Sequence, residues 1–331
     1  MDQITNEMLS ETPPCFRELL LITLNEIFLK KYFAKEWHEF LMLLIPKNNK
    51  KKFRPITLAS CLLKLMERMI LASLIHFVEQ REIIPPTQNG FRKFRSCTTS
   101  LASLVTEIHR ARESSENICA LFVDIKSAFD HVNPNILQDI LLEIGIPIST
   151  RSFIFNLMTD RCLYFKINHE LLGPYMKQFG APQGSVTSPV IYDIYLIRLN
   201  QKISPRNEIV QFADDTVIFN KGKNIKESLT CLQNNASRMV EFFESIGLEI
   251  APEKSQLIIF SKSNIKEHTK EIKVKNQIIY SQQTVKYLGL ILDSKLNWGA
   301  QANHVIDKVI RMINVLKILR GTWWGVTLKF S

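Results

Sequence analysis

The chain has 331 residues, of which 46% are hydrophobic and 22% charged, so it can bury a sizeable core and is too long for one small domain. Its 42 basic and 32 acidic residues leave a net charge of +10, which favours a polyanionic partner, nucleic acid or an anionic membrane, over a merely basic globular protein. The six cysteines form no CxxC pair and no apolar run reaches about 18 residues, which argues against a zinc site, a disulfide framework and a membrane span and predicts a soluble intracellular protein.

The N-terminal third predicts helices and a strand around two basic segments. Apolar clusters at 16–29 and 40–45 indicate a helix and a short buried strand. Five basic residues follow between Lys47 and Arg54, a run that on its own is typical of a solvated loop. Apolar residues then recur every three or four positions over 60–78, which predicts a helix packed behind that loop. Residues 90–96 (GFRKFRS) interleave basic and aromatic side chains, a pattern that serves phosphate contacts and base stacking, although aromatic rings more often lie in a core.

A predicted strand in the middle of the chain ends on an acid. Residues 119–123 (CALFV) are apolar and indicate a buried strand, and Asp124 follows directly. Asn133 and Pro134 then mark the start of a helix, with Asn as the cap and Pro at the first helical position. A strand that delivers an acid at its carboxyl end before a helix is a common active-site arrangement, but it is weak evidence by itself, because an Asp at a strand end is often a helix cap.

Residues 180–185 (GAPQGS) predict a turn-rich loop, and the apolar residues 189–199 predict a helix after it. A glycine-rich backbone can approach a ligand closely, which would bring Gln183 against a base or a sugar. One such loop is a weak functional signal by itself.

Asp214 and Asp215 lie between short apolar runs, a pattern that predicts a β-hairpin with both acids fixed but exposed at its tip. Adjacent ionised carboxylates repel each other, and a hard cation such as magnesium or manganese relieves that repulsion. The alternative is a plain Asp-Asp turn. A third carboxylate from another strand favours the metal, and Asp124 is available for that role.

The C-terminal third predicts a long helix and more strands. Apolar residues keep helical spacing over 225–243, and Gly247 stands where a helix stop belongs, so we expect this helix to cover the sheet. Residues 248–250, 256–260 and 285–289 are strand-like.

These pieces, in this order, resemble the reverse transcriptases of non-LTR retrotransposons, the LINE class, and the jockey-like group most closely. The matching blocks are FRPITL (53–58), GFR with RS (90–92 and 95–96), VDIKSAFD (123–130), APQGS with SP (181–185 and 188–189), FADD (212–215), GL with KS (247–248 and 254–255) and YLG (287–289).

The resemblance implies an α+β right-hand polymerase, with fingers, a palm built on an antiparallel sheet flanked by helices, and a partial thumb. It assigns an N-terminal extension and fingers to 1–118, and a palm to 119–283 that is interrupted by a fingers segment at about 143–180. The primer grip, at 287–289, and an incomplete thumb then occupy 284–331.

The resemblance also implies a two-metal nucleotidyl transfer that uses two Mg²⁺ or Mn²⁺ ions. By the matching blocks, Asp124 and Asp214 are the bridging metal ligands and Asp215 is a supporting one. The backbone carbonyl of Ile125 would complete the shell.

Five further residues take roles in nucleotide binding and turnover by the same resemblance. Lys47 and Arg54 contact the incoming triphosphate, and Gln183 lies beneath the nucleotide and the template base. Phe129 would clash with a ribose 2′-hydroxyl and so select deoxynucleotides, unless it is an ordinary core residue. Lys254 would protonate the leaving pyrophosphate, unless it is an ordinary surface lysine. Asp130, next to Phe129, is expected to be structural.

The sequence departs from the family at three places. Lys93 and Phe94 stand where the family usually has Pro-Gly, which puts the turn that aims Arg95 in question. Thr187 replaces a usual Leu, and 197–198 (IR) replace Asn-Asp. The chain also ends where a thumb would continue and has no endonuclease segment, so we expect a truncated copy of a longer element protein.

Two functions follow as hypotheses. The first is an RNA-directed DNA polymerase that needs an RNA template, a DNA primer and dNTPs, with an endonuclease domain upstream in the full-length protein and a nuclear and cytoplasmic ribonucleoprotein location. The second is a catalytically inactive remnant that binds RNA through residues 47–54. An RNA-dependent RNA polymerase is disfavoured, because Phe129 would exclude ribonucleotides and Ala-Asp-Asp replaces the usual Gly-Asp-Asp.

Overall fold

A computed structural model of the chain describes residues 3–46, 53–167, 170–204, 207–262 and 270–320. The helices are α1 (Asn6–Ser10), α2 (Pro14–Leu29), α3 (Cys61–Gln80), α4 (Cys97–Glu113), α5 (Pro134–Glu143), α6 (Ile148–Met158), α7 (Ser188–Tyr195), α8 (Leu199–Lys202), α9 (Ile225–Ser245) and α10 (Gly299–Arg320). The strands are β1 (Glu39–Pro46), β2 (Phe53–Leu58), β3 (Asn117–Val123), β4 (Arg161–Ile167), β5 (Glu170–Lys177), β6 (Asn207–Phe212), β7 (Asp215–Gly222), β8 (Gln256–Phe260), β9 (Glu271–Val274), β10 (Gln277–Gln282), β11 (Thr284–Tyr287) and β12 (Leu290–Asp293). Among the described residues no helix is both long and apolar enough to cross a membrane.

Two main sheets organise these elements. The first has the strand order β2-β1-β4-β5, so β4 and β5 share a sheet with β1 and β2 from the N-terminal part of the chain. The second has the order β6-β7-β3-β8-β10-β9, and β11 pairs with β12 in a separate hairpin. The second sheet is antiparallel apart from one pair, β8 and β10, which are parallel. The predicted α+β arrangement of an antiparallel sheet flanked by helices is confirmed. The proposed division into fingers, palm and thumb stays a prediction.

Strand β3 is buried on both faces because its alternating side chains enter two different cores. Cys119, Leu121 and Val123 pack with the buried residues of α5, α7 and α9. Ile118 and Phe122, on the opposite face, pack with α4 and the β11–β12 hairpin. Both faces are covered, which explains why the predicted strand reads as a continuous apolar run.

The predicted helices over 60–78, from 134 and over 225–243 are all present as α3, α5 and α9. Ser60 accepts the amide of Leu63 and so caps α3. At the end of α9, Gly247 adopts φ +77° and the amide of Leu248 donates to the carbonyl of Phe243, which is a Schellman stop. Local start and stop signals therefore placed these helices correctly.

Other predicted elements were wrong in part. The second half of β1 is exposed, with Leu44 and Ile45 each 48% accessible, where a buried strand was expected. Residues 248–250 form only a single bridge, between Ile250 and Ile125. The helix expected over 189–199 breaks after Tyr195 and resumes as α8. All six cysteines are free thiols, as the sequence predicted.

Candidate functional site

Most of the predicted site residues line one cavity of about 660 Å³ between β2, the end of β3 and the hairpin of β6 and β7. The predicted residues in its lining are Arg54, Asp124, Ile125, Phe129, Gln183, Asp214 and Lys254. Asp215 faces a smaller adjoining cavity of about 110 Å³, whose lining also includes Asp124, Lys254 and Tyr287. Lys47 lies outside the described residues.

The two neighbouring acids sit at a tight hairpin turn, as the sequence predicted. Phe212 pairs with Asp215 across β6 and β7, which leaves Ala213 and Asp214 as the two turn residues. Ala213 has φ +57°, the left-handed conformation that short hairpins use. Asp214 and Asp215 are both accessible to solvent at this tip.

A segment that the sequence analysis missed holds this turn in place. The side chain of Gln88, only 2% exposed, accepts the amide of Ala213 at 3.1 Å and donates to its carbonyl at 3.4 Å. The amide of Asn89 donates to the carbonyl of Gln211, and the amide of Gln211 donates back to Thr87. Residues 87–89 thus form a single parallel bridge with β6, between Gln88 and Gln211. Glutamine gives no periodic hydrophobic signal, so nothing in the sequence pattern pointed to this contact.

Asp124 is fixed at the end of β3 by contacts with residues 251–255. Its carbonyl accepts the amide of Ala251 at 2.8 Å, and its amide donates to the hydroxyl of Ser255 at 3.3 Å. Its carboxylate forms an ion pair with Lys254, at 3.1 Å between Oδ1 and Nζ. Lys254 therefore lies at the acids that the sequence assigned to metal binding.

The carboxylates of this site influence one another. Although solvent reaches Asp215, so many protein atoms surround it that desolvation raises its pKa to about 6, and the charges of Asp214 and Asp124 add to the rise. Desolvation also raises the pKa of Asp214, with a further contribution from Asp124, while the charge of Arg54 opposes it. The charge of Asp124 thus raises the pKa of both Asp214 and Asp215, and a bound cation would favour the ionised forms of these two acids.

Phe129 and Gln183 both line the larger cavity. Phe129 is half-buried and its ring stacks on Tyr192, with 4.8 Å between centroids and 29° between planes. The side-chain amide of Gln183 donates to Asp130 Oδ2 at 3.1 Å, and Oδ1 of Asp130 pairs with Lys177 at 2.5 Å. Asp130 thus orients a cavity-lining side chain in addition to the structural role expected of it.

Comparison with known proteins identifies the family. Residues 45–292 match the family described as "Reverse transcriptase (RNA-dependent DNA polymerase)". The chain belongs to this family. It is 26% identical over 99% of its length to the probable RNA-directed DNA polymerase from transposon BS of Drosophila melanogaster, and 26% identical over 97% to that of the mobile element jockey of the same species. A type-1 retrotransposable element R2 polyprotein of Popillia japonica is 23% identical over 79% of the chain.

These relatives confirm the resemblance to non-LTR retrotransposon reverse transcriptases of the jockey-like group. The chain spans only 37% and 36% of the length of the two Drosophila relatives and 38% of the R2 polyprotein. Two telomerase structures from Candida tropicalis, one of them in complex with a fragment of telomeric RNA, have TM-scores of 0.55 and 0.56 and 13% identity. Each covers 84% of this chain, which covers 59% and 48% of theirs. The right-hand polymerase fold is thereby confirmed.

The departure from the family turn at Lys93 and Phe94 leaves the turn itself intact. Phe94 stands where this reverse transcriptase family usually has glycine and adopts φ +63°, a left-handed conformation that strains a residue with a Cβ. Its side chain is 93% exposed. Arg95 nevertheless points inward and donates to the carbonyl of Gln88 and to Asn89 Oδ1, at 3.3 and 3.2 Å. Arg95 therefore supports the segment that holds the turn between β6 and β7.

The donor set of the reverse transcriptase site fits magnesium or manganese. In the part of the chain that the structure describes, no group of three or more acids, histidines or cysteines converges into a ready-made metal cage. Magnesium at phosphate-transfer sites is characteristically held by one or two carboxylates together with substrate phosphates, and does not need such a cage. Asp124 and Asp214 on a cavity wall with Arg54 provide that kind of site.

Proposed function

We propose that the chain is the polymerase core of a non-LTR retrotransposon protein, an RNA-directed DNA polymerase that adds deoxynucleotides to a primer 3′-hydroxyl. One observation carries the proposal. Asp124, which follows β3, and Asp214, in the turn between β6 and β7, line a single cavity with Arg54 and Gln183. Carboxylates for a metal and a guanidinium for a phosphate, in one open cavity, are what nucleotidyl transfer requires.

The metal ligands in this proposal are Asp124 and Asp214, with Asp215 and the carbonyl of Ile125 in support. Two bound Mg²⁺ or Mn²⁺ ions would supply activation of the primer hydroxyl and neutralisation of charge at the leaving pyrophosphate. Because desolvation raises the pKa values of Asp214 and Asp215, cation binding and ionisation of these acids favour each other.

Arg54 and Lys47 bind the triphosphate in the proposed reaction. The planar guanidinium of Arg54 and the compact ammonium of Lys47 together balance the negative charge of the phosphates. Gln183 supports the nucleotide from below. Phe129 narrows the cavity where a 2′-hydroxyl would lie. Lys254, which reaches Asp124 Oδ1 at 3.1 Å, delivers a proton to the leaving pyrophosphate.

The proposed partners are an RNA template, a DNA primer and dNTPs. The net charge of +10 supports a polyanionic partner. We also propose that an endonuclease domain lies upstream in a full-length element protein. That protein would form a ribonucleoprotein with RNA, in the nucleus and the cytoplasm.

Primer extension on poly(rA)/oligo(dT) with Mg²⁺ or Mn²⁺ tests this function. We expect the wild-type chain to incorporate dTTP, and Asp214→Ala to lower the rate at least about 1,000-fold, because a bridging metal ligand is lost. Asp139→Ala, at an exposed position on α5 outside the cavity, is the matched control and should keep full activity. Incorporation by neither the wild type nor the control would reject the polymerase and favour the inactive RNA-binding remnant.

A further inference from the structure

A carboxylate is completely buried in the middle of α3. Glu67 has 0% of its surface exposed and lies on the helix face that also carries the buried Leu63, Met66 and Ile70. In the described part of the chain, no lysine or arginine lies within ion-pair distance of it. A buried charge without a cation is unfavourable unless hydrogen bonds replace its water, so its partners show what it does.

All the hydrogen bonds of this carboxylate go to one oxygen and to one short segment. Glu67 Oε2 accepts the hydroxyl of Ser185 at 2.5 Å and the amide of Val186 at 2.7 Å. It also accepts the amide of Thr187 at 3.0 Å and its hydroxyl at 3.2 Å. The other oxygen, Oε1, is buried without a hydrogen-bond partner among the described residues. Glu67 therefore binds the segment through one carboxylate oxygen, Oε2, which accepts all four of these hydrogen bonds.

The carboxylate also stabilises the helix that follows this segment. Thr187 is the residue before α7 and its own side chain does not cap the helix. Glu67, from a different helix, accepts the amides of Val186 and Thr187 just before the first helical residue, so its carboxylate lies near the positive end of the α7 dipole. Thr187 departs from the usual leucine of the family, and its hydroxyl contributes one of the four bonds.

The same segment is held at its other end by β2. The carbonyl of Gln183 accepts both the amide and the hydroxyl of Thr57, at 2.7 and 2.9 Å. At Gly184 a Cβ would lie 2.4 Å from the Thr57 carbonyl oxygen, so the backbones of these two segments are in direct contact. Residues 182–187 are thus fixed between two elements. One is β2, which carries Arg54, and the other is α3, which follows β2 in the sequence.

We propose that Glu67 is a positioning residue for nucleotide binding: it fixes residues 182–187 so that Gln183 and Arg54 face the same cavity. The inference rests on the proposed polymerase function, because it assigns Glu67 a role in binding the incoming dNTP. Loss of Glu67 frees residues 185–187 and leaves Gln183 held by Thr57 at its carbonyl and by Asp130 at its side chain. Binding of the nucleotide weakens, while Asp124, Asp214 and Asp215, which Glu67 does not contact, are unaffected.

Steady-state primer extension with the full chain tests the proposal through the separation of KM from kcat. Glu67→Ala should raise the KM for dTTP about tenfold with kcat within about twofold of wild type, and Glu67→Gln, which keeps an acceptor oxygen, should raise KM only about threefold. The control is Met66→Ala, which removes a neighbouring buried side chain that packs towards α2 and β1. It should lower the melting temperature without a rise in KM.

Hydrogen exchange of the amides supplies a readout that does not depend on activity. The amides of Val186 and Thr187 should exchange at least about tenfold faster in Glu67→Ala, and not in Met66→Ala. An unchanged KM in Glu67→Ala, an equal rise in KM for Met66→Ala, or unchanged exchange at 186–187 would each overturn the proposal. Absence of incorporation by the wild type would reject the polymerase function instead, and the exchange data would still decide whether Glu67 fixes the segment.

Discussion

Phe129 has two roles open to it, a gate that excludes ribonucleotides and a core residue packed on Tyr192. The structure gives its ring both a buried side, stacked on Tyr192, and a side that lines the cavity. If the cavity side excludes a 2′-hydroxyl, Phe129→Ala should raise the incorporation of UTP relative to dTTP on poly(rA) at least about tenfold. Phe129→Tyr keeps the ring and should keep the discrimination. Unchanged sugar selectivity in Phe129→Ala would leave the ring with a packing role only.

Asp193 is a buried acid that takes no part in the proposed chemistry. It is 2% exposed, and neither carboxyl oxygen has a hydrogen-bond partner among the described residues. Desolvation raises its pKa to about 8, the nearby Arg92 opposes the rise, and Glu79 adds to it. The group is therefore protonated in the folded chain at pH values where it is ionised in the unfolded chain.

This difference predicts a loss of stability as the pH rises. Between about pH 4 and 8 the folded state binds one more proton at Asp193 than the unfolded state, so the free energy of unfolding should fall by up to about 1.4 kcal/mol per pH unit and level off above pH 8. Asp193→Asn is neutral throughout and should lack this component. Urea denaturation of both chains at pH 5, 6.5 and 8 gives the difference directly. Parallel pH dependences would show that Asp193 is ionised in the folded protein.

At the scale of elements, periodic segments could be predicted and contacts between distant polar residues could not. Helix α3 and strand β3 followed from regular apolar spacing and from caps such as Ser60. The sequence gives one indication of the role of Glu67, which is that a charged residue stands on the apolar face of α3. Its partners at 185–187 are far away in the sequence, and no periodicity reports such a contact.

The residues of the site could be predicted only where they belong to a recognisable sequence motif. The hairpin tip at Asp214 and the strand end at Asp124 were both expected, and the structure brings them to one cavity. The exposed half of β1 could not be anticipated, because apolar composition alone does not say whether a sheet face is covered. The buried side-chain amide of Gln88 contacts the turn at Ala213 and so joins two turns. From a single sequence, a glutamine would be expected to lie at the polar surface.

The close packing of the 87–90 segment on the hairpin turn predicts a sharp effect at Gly90. A Cβ there would lie 2.3 Å from the backbone nitrogen of Ala213, and backbone cannot move aside as a flexible side chain can. Gly90→Ala should displace the turn that carries Asp214 and lower primer extension at least about tenfold, with a loss of about 1–3 kcal/mol of stability. Gly299→Ala, where nothing lies within 4 Å, is the control and should leave both unchanged or slightly raise stability. Full activity in Gly90→Ala would mean that the turn does not depend on this contact.

Across the whole molecule, polar contacts link the two main sheets around the cavity. Lys177 at the end of β5 pairs with Asp130, which follows β3. Arg161 on β4, only 1% exposed, donates to the carbonyls of Phe179 and Gly180, at 2.6 and 2.7 Å. The amide of Thr57 on β2 reaches Gln183. The first contact joins the first sheet to the segment after β3, and the other two fix residues 179–183, where the amide of Ala181 donates to the carbonyl of Phe129 in that same segment. The cavity is lined by residues from both sides of these contacts.

The net charge of +10 gives the last prediction, which separates binding from catalysis. If about five phosphates of an RNA–DNA hybrid are neutralised by lysine and arginine, the dissociation constant should rise about 100- to 1,000-fold between 50 and 200 mM salt. Fluorescence anisotropy with a labelled poly(rA)/oligo(dT) duplex measures this slope. Asp214→Ala should bind with the same slope and an equal or higher affinity, because it removes a negative charge from the cavity and no phosphate contact. A dissociation constant independent of salt would contradict an electrostatic nucleic-acid interface, and a large loss of affinity in Asp214→Ala would mean that the acid holds the duplex as well as the metal.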